Sequence, residues 1–182
     1  MLLIQFTGLS GAGKTTIATL AQKELTLQGL NIEVIDGDDY RKTLCKGLGF
    51  SFEDRAENLR RLGFVGKLLL KHNVISIISA INPFESIRQE LTTYSPKVKT
   101  VWVRCSMETL VKRDTKGLYK RALLPDGNPD KVYQFTGISD LYEIPKNPDL
   151  ILDTDKETPE ESVKKLTDFI LWSINNPGDI QQ

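Results

Sequence analysis

The sequence is poor in the residues that build disulfide frameworks and metal centres, with two cysteines and one histidine among 182 residues. Cys45 and Cys105 match no metal-binding or redox spacing. We therefore expect both to be free thiols of a reducing compartment that pack as small apolar side chains. His72 lies in a Lys-His-Asn segment typical of a helix end, which favours an interaction with the helix dipole over a role in catalysis.

The sequence also lacks an excess of charge and a long apolar run. Lys+Arg and Asp+Glu number 24 each, so the composition gives no electrostatic reason to expect binding to nucleic acid or to a membrane surface. No apolar run approaches the ~20 residues of a membrane span. No basic and apolar leader precedes the first predicted strand, so we expect no signal peptide and a cytoplasmic location.

The clearest motif is a glycine-rich loop between a predicted strand at residues 2–7 and a predicted helix. Its pattern is G-x-x-x-x-G-K-T followed by one more threonine, and its residues are Gly8, Leu9, Ser10, Gly11, Ala12, Gly13, Lys14, Thr15 and Thr16. The glycines allow successive N–H groups to point at a phosphate chain, and the helix adds its N-terminal partial positive charge. We expect Lys14 to contact the β- and γ-phosphates of ATP and the Thr15 hydroxyl to bind Mg²⁺.

Strands and helices alternate along the rest of the chain. Further strands are predicted at residues 32–35, 74–80, 98–105 and 150–153. This order predicts an α/β fold, a three-layer sandwich of the P-loop kinase type with a five-stranded parallel sheet. Two helices carry clear start signals, Ser51 in the first and Thr158, Pro159 and Glu161 in the last, which we expect to stop at residues 175–177.

One stretch, residues 114–148, has no predicted regular structure. A connection of this length inside a compact domain is usually functional, and its cations suit a lid over polyphosphate. For residues 123–131 alone, a solvated surface loop remains an alternative. We therefore predict a single kinase domain over residues 1–182 with a mobile lid at about 114–148.

Two aspartates, Asp36 and Asp38, follow the second predicted strand. In an open parallel sheet, ligands lie beyond the carboxyl ends of the strands, where these aspartates meet the phosphate loop. One carboxylate can position Mg²⁺ through water, and the other can accept the proton of a hydroxyl that attacks the γ-phosphate. Asp-Gly-Asp is also an ordinary turn sequence, but its place in the chain order favours the catalytic interpretation.

Further polar residues suggest a second binding site beside these aspartates. Arg41 follows Asp38 by three residues, and Arg55 and Asn58 share one face of the predicted long helix near Phe50. A guanidinium, an amide and an aromatic ring suit an acceptor with an anionic group and a planar ring. For Arg55 and Asn58 the residues alone leave this interpretation and a structural role equally open.

These motifs resemble the adenylylsulfate kinase family over nearly the whole chain. Beyond the phosphate loop, the resemblance is carried by Asp36-Gly37-Asp38 with Arg41, Leu48-Gly49-Phe50-Ser51, Asp54-Arg55, Glu57-Asn58, Arg60-Arg61, Arg113-Asp114, Lys116-Gly117-Leu118-Tyr119-Lys120, Phe135-Thr136-Gly137-Ile138 and Tyr142-Glu143. Many ATPases and GTPases share the loop, whereas the combination of the later segments is specific to this family. The resemblance implies a kinase that uses Mg-ATP to phosphorylate the 3′-hydroxyl of adenosine 5′-phosphosulfate in sulfate assimilation.

The resemblance also implies roles for individual residues. Lys14, Asp36 and Asp38 would be catalytic, with Asp38 as the base near the 3′-hydroxyl and Asp36 holding the metal, through water, beside Thr15. Arg113 would pack near the ATP adenine. The lid residues that close over the phosphates would be Lys116 and Lys120, and the acceptor would be bound by Arg41, Phe50, Arg55, Asn58, Ile81 and Phe135, with the two phenylalanines on either side of its adenine. A homodimer with small nucleotide substrates is suggested as well.

The chain departs from the family pattern at three places. Asn82-Pro83 stands where Ser-Pro is common, and because an amide cannot carry a phosphoryl ester, direct in-line transfer fits this chain better than a phosphoenzyme. Glu85 replaces an often basic residue, although Arg88 retains the next one, and the link at 123–134 is longer. These departures leave open a kinase of the same fold with a different nucleotide-like acceptor. A non-catalytic ATP-binding switch is disfavoured by the intact set of Lys14, Thr15, Asp36, Asp38 and Arg41.

Overall fold

The chain alternates between strands and helices in the computed structural model, which describes residues 1–176. The strands are β1 (Leu3–Thr7), β2 (Ile32–Asp36), β3 (Ile75–Ser79), β4 (Val98–Arg104) and β5 (Leu150–Asp153). The helices are α1 (Lys14–Leu27), α2 (Gly37–Tyr40), α3 (Phe52–Lys71), α4 (Glu85–Thr92), α5 (Met107–Arg113), α6 (Leu118–Ala122) and α7 (Pro159–Asn175).

All five strands form one sheet in the order β2-β3-β1-β4-β5, and every pairing between neighbours is parallel. In the centre of the sheet, Ile4 of β1 pairs with Ile77 of β3 and Lys99 of β4. This confirms the predicted α/β fold. Because the strands are parallel, their carboxyl ends meet at one edge, where the loops after β1, β2 and β3 come together.

Apolar side chains cover both faces of the sheet. Phe6 and Val103 pack with Leu166 on the face covered by α1 and α7. On the opposite face, Leu3 of β1 packs with Leu62 of α3. On that face α3 lies so close to the sheet that a Cβ atom at Gly66 would lie 2.6 Å from Leu3 Cδ1.

Local signals in the sequence place several helix ends correctly. The Ser51 side chain caps α3 by accepting from the Asp54 N–H, and Thr158 and Glu161 form a capping box at α7. His72 is the C-cap of α3, as its position in the sequence predicted. Pro177, expected at the end of α7, lies outside the described residues.

The stretch from 114 to 148 is less irregular than the sequence indicated, because it contains the short helix α6. Gly117 precedes this helix with φ 64°, a left-handed conformation that suits glycine. Among the helices of residues 1–176, none has the length and apolar character needed to cross a membrane.

Candidate active site

A cavity of about 280 Å³ opens at the carboxyl edge of the sheet, above β1, β2 and β3. Its walls come from the phosphate loop, the strand ends, α3 and the residues before α6. They are Ser10, Gly11, Gly13, Lys14, Thr15, Thr16, Asp36, Gly37, Asp38, Arg41, Phe50, Arg55, Asn58, Leu59, Ser79, Ala80, Ile81, Asn82, Pro83, Thr115 and Lys116. The fold therefore brings most of the sequence-predicted site residues into one place.

The phosphate loop turns tightly into α1, and its lysine is buried. Gly11 and Gly13 adopt φ values of 77° and 95°, which side chains other than glycine rarely tolerate. The Lys14 ammonium donates to the carbonyl oxygens of Gly8 at 2.9 Å and Leu9 at 2.7 Å. Burial lowers the pKa of Lys14 to about 8, against the opposing effect of the nearby Asp38 carboxylate. The loop thus holds a buried lysine whose charged form an anionic ligand would stabilise.

Oxygen atoms suited to a hard cation lie next to the loop. The Thr15 hydroxyl donates to Asp36 Oδ2 at 2.8 Å and lies 3.2 Å from the Ser79 hydroxyl. Asp36 Oδ1 accepts from the Asp38 N–H at 2.8 Å, which fixes the orientation of the carboxylate. Within residues 1–176 there is no group of three or more His, Cys, Asp or Glu side chains that could hold a metal. A hydroxyl with a single carboxylate fits Mg²⁺, which keeps water and phosphate oxygens in its coordination shell.

The second aspartate of the pair contacts the predicted lid. Asp38 Oδ2 accepts from the Lys116 ammonium at 2.8 Å, and both side chains are largely exposed. This hydrogen bond, followed by the charges of Lys116, Lys14 and Arg41, holds the pKa of the Asp38 carboxyl below its ordinary value. Asp38 is therefore an ionised carboxylate at neutral pH, as a proton acceptor must be.

Two arginines lie against Phe50 on the far side of the cavity. The guanidinium of Arg41 is 4.7 Å from the centre of the Phe50 ring, and that of Arg55 is 5.3 Å from it. Arg55 also donates to the Phe50 carbonyl at 2.9 Å, to the Gln134 carbonyl at 2.6 Å and to Asp140 Oδ2 at 3.0 Å. Arg55 thus links α3 to the end of the lid stretch as well as lining the cavity.

The Asn58 side chain and the Ile81 backbone, both predicted to bind the acceptor, lie in the cavity wall. Asn58 is 5% exposed, and its Oδ1 has no hydrogen-bond partner among the described residues. The Ile81 carbonyl accepts from the Gly8 N–H at 3.1 Å, so the turn after β3 is tied to the phosphate loop. An unpaired buried amide oxygen can accept a hydrogen bond from a ligand.

Comparison with known proteins agrees with this geometry. A family model described as adenylylsulphate kinase matches residues 1–153. The chain belongs to the adenylylsulphate kinase family. An adenylyl-sulfate kinase of Microcystis aeruginosa is 48% identical over 163 residues, which cover 90% of this chain and 87% of the relative.

Other members of the family differ in length. A probable bifunctional SAT/APS kinase of Sorangium cellulosum is 44% identical over 164 residues, and the match covers 90% of this chain but 27% of that protein. The solved structure of the Mycobacterium tuberculosis APS kinase CysC in complex with AMPPNP and APS is 35% identical. It superimposes with a TM-score of 0.86, covering 93% of this chain and 96% of that one.

Several residues to which the family resemblance gave a role lie away from the cavity wall. Phe135 is 8% exposed and packs edge-on against Tyr119, with ring centres 4.9 Å apart. Arg113 donates to the Thr154 carbonyl at 2.7 Å. Lys120 lies on α6 and is exposed. Their predicted contacts with adenine and phosphate stay predictions, as do the remaining site assignments.

The structure also shows three contacts that the sequence did not predict. Ser79 places its hydroxyl beside that of Thr15, and its position at the end of the mainly apolar strand β3 was the signal in the sequence. Tyr119 donates its hydroxyl to the Ser10 carbonyl at 2.8 Å, which joins α6 to the phosphate loop. Asp140 pairs with Arg55 from 85 positions away, and no local pattern indicates that contact.

Proposed function

We propose that the chain is an ATP-dependent kinase that phosphorylates the 3′-hydroxyl of adenosine 5′-phosphosulfate, giving 3′-phosphoadenosine 5′-phosphosulfate and ADP. The observation that carries the proposal is one cavity lined by a phosphate loop, by Asp36 and Asp38, and by arginines stacked on Phe50. A protein that only binds ATP does not need the cations and the aromatic ring on the other side of the cavity. The family membership of the chain supports the same reaction.

The ATP half of the site is built by the phosphate loop and the start of α1. Loop N–H groups surround the phosphates, and the Lys14 ammonium exchanges two neutral carbonyl partners for charged phosphate oxygens. Because burial disfavours the charge on Lys14, the gain from that exchange is larger than for an exposed lysine. In this proposal Arg113 packs near the ATP adenine, and Lys120 closes over the phosphates with the lid.

Thr15 and Asp36 are the residues that would hold Mg²⁺, the hydroxyl directly and the carboxylate through water. When bound, Mg²⁺ neutralises charge on the β- and γ-phosphates. The Asp36 carboxylate is already oriented by the Asp38 N–H, so it needs little rearrangement to serve.

The acceptor half carries the proton transfer. As the acceptor oxygen bonds to the γ-phosphorus and the bond from that phosphorus to the β-phosphate oxygen breaks, Asp38 takes the proton of the 3′-hydroxyl. Lys116 must leave Asp38 for this to happen, and the phosphates offer it a stronger partner. The turn after β3 presents Asn82, an amide, so the phosphoryl group passes directly between the two nucleotides.

The acceptor itself is held by charge and stacking. Phe50 offers an exposed ring for the adenine, with Phe135 on the other side once the lid moves. Arg41 and Arg55 bind the phosphosulfate, and Asn58 accepts from the ribose or base. The Ile81 backbone completes this wall.

The proposal also covers the domain organisation, the location and the oligomeric state of the protein. Residues 1–182 act as a single kinase domain whose stretch at about 114–148 is the lid. The enzyme works in the cytoplasm on small nucleotides, and it does so as a homodimer. Light scattering on the purified protein would test the last point, and a mass of one chain would contradict it.

Release of ADP with and without the acceptor tests the proposed reaction. Purified protein with Mg-ATP should release ADP when adenosine 5′-phosphosulfate is added and should release little in its absence. Release that does not depend on the acceptor would indicate an ATPase, and no release at all would indicate a binding switch. ADP release that occurs only with a different nucleotide would support kinase activity but refute adenosine 5′-phosphosulfate as the acceptor.

A further inference from the structure

A fully buried arginine lies behind the wall of the cavity. Arg88 of α4 is 2% exposed and does not line the cavity. It is the centre of a polar group that we call the Arg88 cluster, which consists of Thr7, Asn82, Glu85, Arg88, Tyr142 and Glu143. A buried charge is costly unless it is paired and hydrogen-bonded.

Every N–H group of the Arg88 guanidinium points at an oxygen atom. Glu85 Oε2 accepts from Nε at 3.0 Å and from Nη2 at 2.7 Å. The carbonyl of Asn82 accepts from Nη1 at 2.7 Å, and the carbonyl of Glu143 accepts from Nη2 at 2.7 Å. The remaining N–H of Nη1 points at the Thr7 hydroxyl at 3.4 Å. Since an arginine has five N–H donors, none is left for a substrate anion.

One of these carbonyls belongs to the turn that forms a wall of the cavity. Asn82 lies between Ile81 and Pro83 and adopts φ 46°, a conformation that asparagine tolerates better than most residues. Its carbonyl also accepts from the Thr7 hydroxyl at 2.9 Å, and its side-chain Nδ2 donates to Gln5 Oε1 at 2.9 Å. Arg88 thus completes the set of bonds that holds this turn.

The other carbonyl belongs to a segment that reaches the opposite wall. The Glu143 N–H donates to the Pro83 carbonyl at 2.9 Å, and its carboxylate accepts from the Glu85 N–H at 2.5 Å. A few residues earlier the same segment carries Asp140, which pairs with Arg55 at 3.0 Å. Arg55 in turn holds the Phe50 carbonyl. The Arg88 cluster therefore connects the turn after β3 to the arginine and ring on the far side of the cavity.

We propose that Arg88, fixed by Glu85, is a positioning residue for the acceptor nucleotide. It sets the distance between the turn at 81–83 and the segment at 134–143. The ATP half of the site touches this arrangement at Thr7 and at the hydrogen bond from Gly8 to Ile81, and is otherwise built by the phosphate loop, α1 and the end of β2. The identity of the acceptor rests on the proposed function, whereas the link between the two walls rests on the hydrogen bonds of Arg88 and Arg55.

The chemistry of the side chain explains why substitutes fail. Lysine keeps the charge, but its three N–H groups radiate from one nitrogen and cannot reach two carbonyls and a carboxylate in different directions. Glu85→Gln keeps the shape of the side chain but leaves a buried guanidinium without its counter-charge. Either change lets the two walls move relative to each other.

Glu85→Gln and Arg88→Lys test the proposal, with Glu90→Gln as the matched control. Glu90 is on the same helix and also pairs with an arginine. Its two carboxylate oxygens lie 2.7 and 2.8 Å from nitrogen atoms of Arg60, but that pair is exposed. Steady-state kinetics should show a rise of about tenfold or more in the KM for adenosine 5′-phosphosulfate in the first two variants. The KM for ATP should stay within about twofold, and the control should stay within about twofold for both substrates, as expected for a surface pair.

Calorimetry on the wild type and the variants gives the Kd for the acceptor and separates binding from turnover. Equal rises in both KM values, or no rise in either, would overturn the positioning role. If Arg88→Lys does not fold, Glu85→Gln and Tyr142→Phe, which loses the 2.9 Å contact to Thr7, carry the same test. A wild-type protein that binds the acceptor without phosphorylating it would refute the proposed function alone, and the Kd values would then decide the inference. A wild-type protein that does not bind the acceptor would overturn both.

Discussion

Raising the pH above 8 should weaken the capture of ATP, because Lys14 loses its proton in the empty enzyme. Lys14 is 8% exposed, and burial lowers its pKa from 10.5 to about 8. The charged ammonium is the form that binds the phosphates. Since kcat/KM for ATP reports the ionisation of the free enzyme, its basic limb should reveal this pKa.

The size of the effect follows from the pKa. At pH 9 about one Lys14 side chain in eleven keeps its proton, so kcat/KM for ATP should fall about tenfold from its value at pH 7, and about a hundredfold at pH 10. At saturating ATP, kcat should change little up to pH 9, because bound phosphates favour the charged lysine. Initial rates at constant ionic strength and saturating acceptor measure both quantities. A flat kcat/KM for ATP up to pH 10 would refute the reasoning.

The same lowered pKa predicts how the ligand-free protein responds to pH. Between pH 8 and 10.5 the unfolded chain binds more protons at Lys14 than the folded one, so the free energy of unfolding should rise with pH across that window. Below it the buried charge costs about 3 kcal/mol. Lys14→Met should therefore stabilise the empty protein at pH 7 while abolishing ATP binding, and Lys42→Met, at an exposed site, should do neither. Chemical denaturation that shows Lys14→Met to be destabilised would contradict this account.

Three further substitutions test the acceptor side of the site, the first two by steady-state kinetics. Asp38→Asn should lower kcat about 10²- to 10⁴-fold and leave the ATP affinity unchanged, because a base acts in the transition state. The control Asp39→Asn should leave kcat unchanged. If Asp38→Asn weakens ATP binding as much as it lowers kcat, Asp38 is not the base. Phe50→Ala should raise the KM for the acceptor about 5- to 150-fold if stacking contributes 1–3 kcal/mol. Phe52→Ala, equally exposed at 51% but outside the cavity, should leave that KM unchanged, and similar effects of the two would argue against stacking. Lys116→Ala removes the main cause of the lowered pKa of Asp38 in the ligand-free protein, so the pKa of that carboxyl should rise in an NMR titration, and an unchanged pKa would exclude that coupling.

The ATP half of the site could be predicted from the sequence because its chemistry is local. The phosphate loop and the start of α1 are consecutive, and Lys14 is the first residue of that helix. Asp36 is only 21 positions from Thr15, and it ends the next strand in the chain. Alternating strands and helices form a parallel sheet. The carboxyl ends of its strands lie at one edge, so groups that follow successive strands meet there.

The acceptor half could not be predicted in the same way, because its contacts join distant parts of the chain. Periodicity places Arg55 on one face of α3 but does not reveal that Asp140 neutralises it from 85 positions away. The burial of Phe135 against Tyr119 depends on how α6 folds back onto the phosphate loop. The bonds of Arg88 likewise depend on two backbone carbonyls, which carry no signature in the sequence.

Transfer of the γ-phosphoryl group of labelled ATP tests the central claim most directly. With Mg²⁺ and adenosine 5′-phosphosulfate, the label should appear on the 3′-oxygen of the nucleotide product, and acid-quenched protein should carry none, since Asn82 offers no hydroxyl. Label found in inorganic phosphate, on the protein, or nowhere but in ATP would contradict the account.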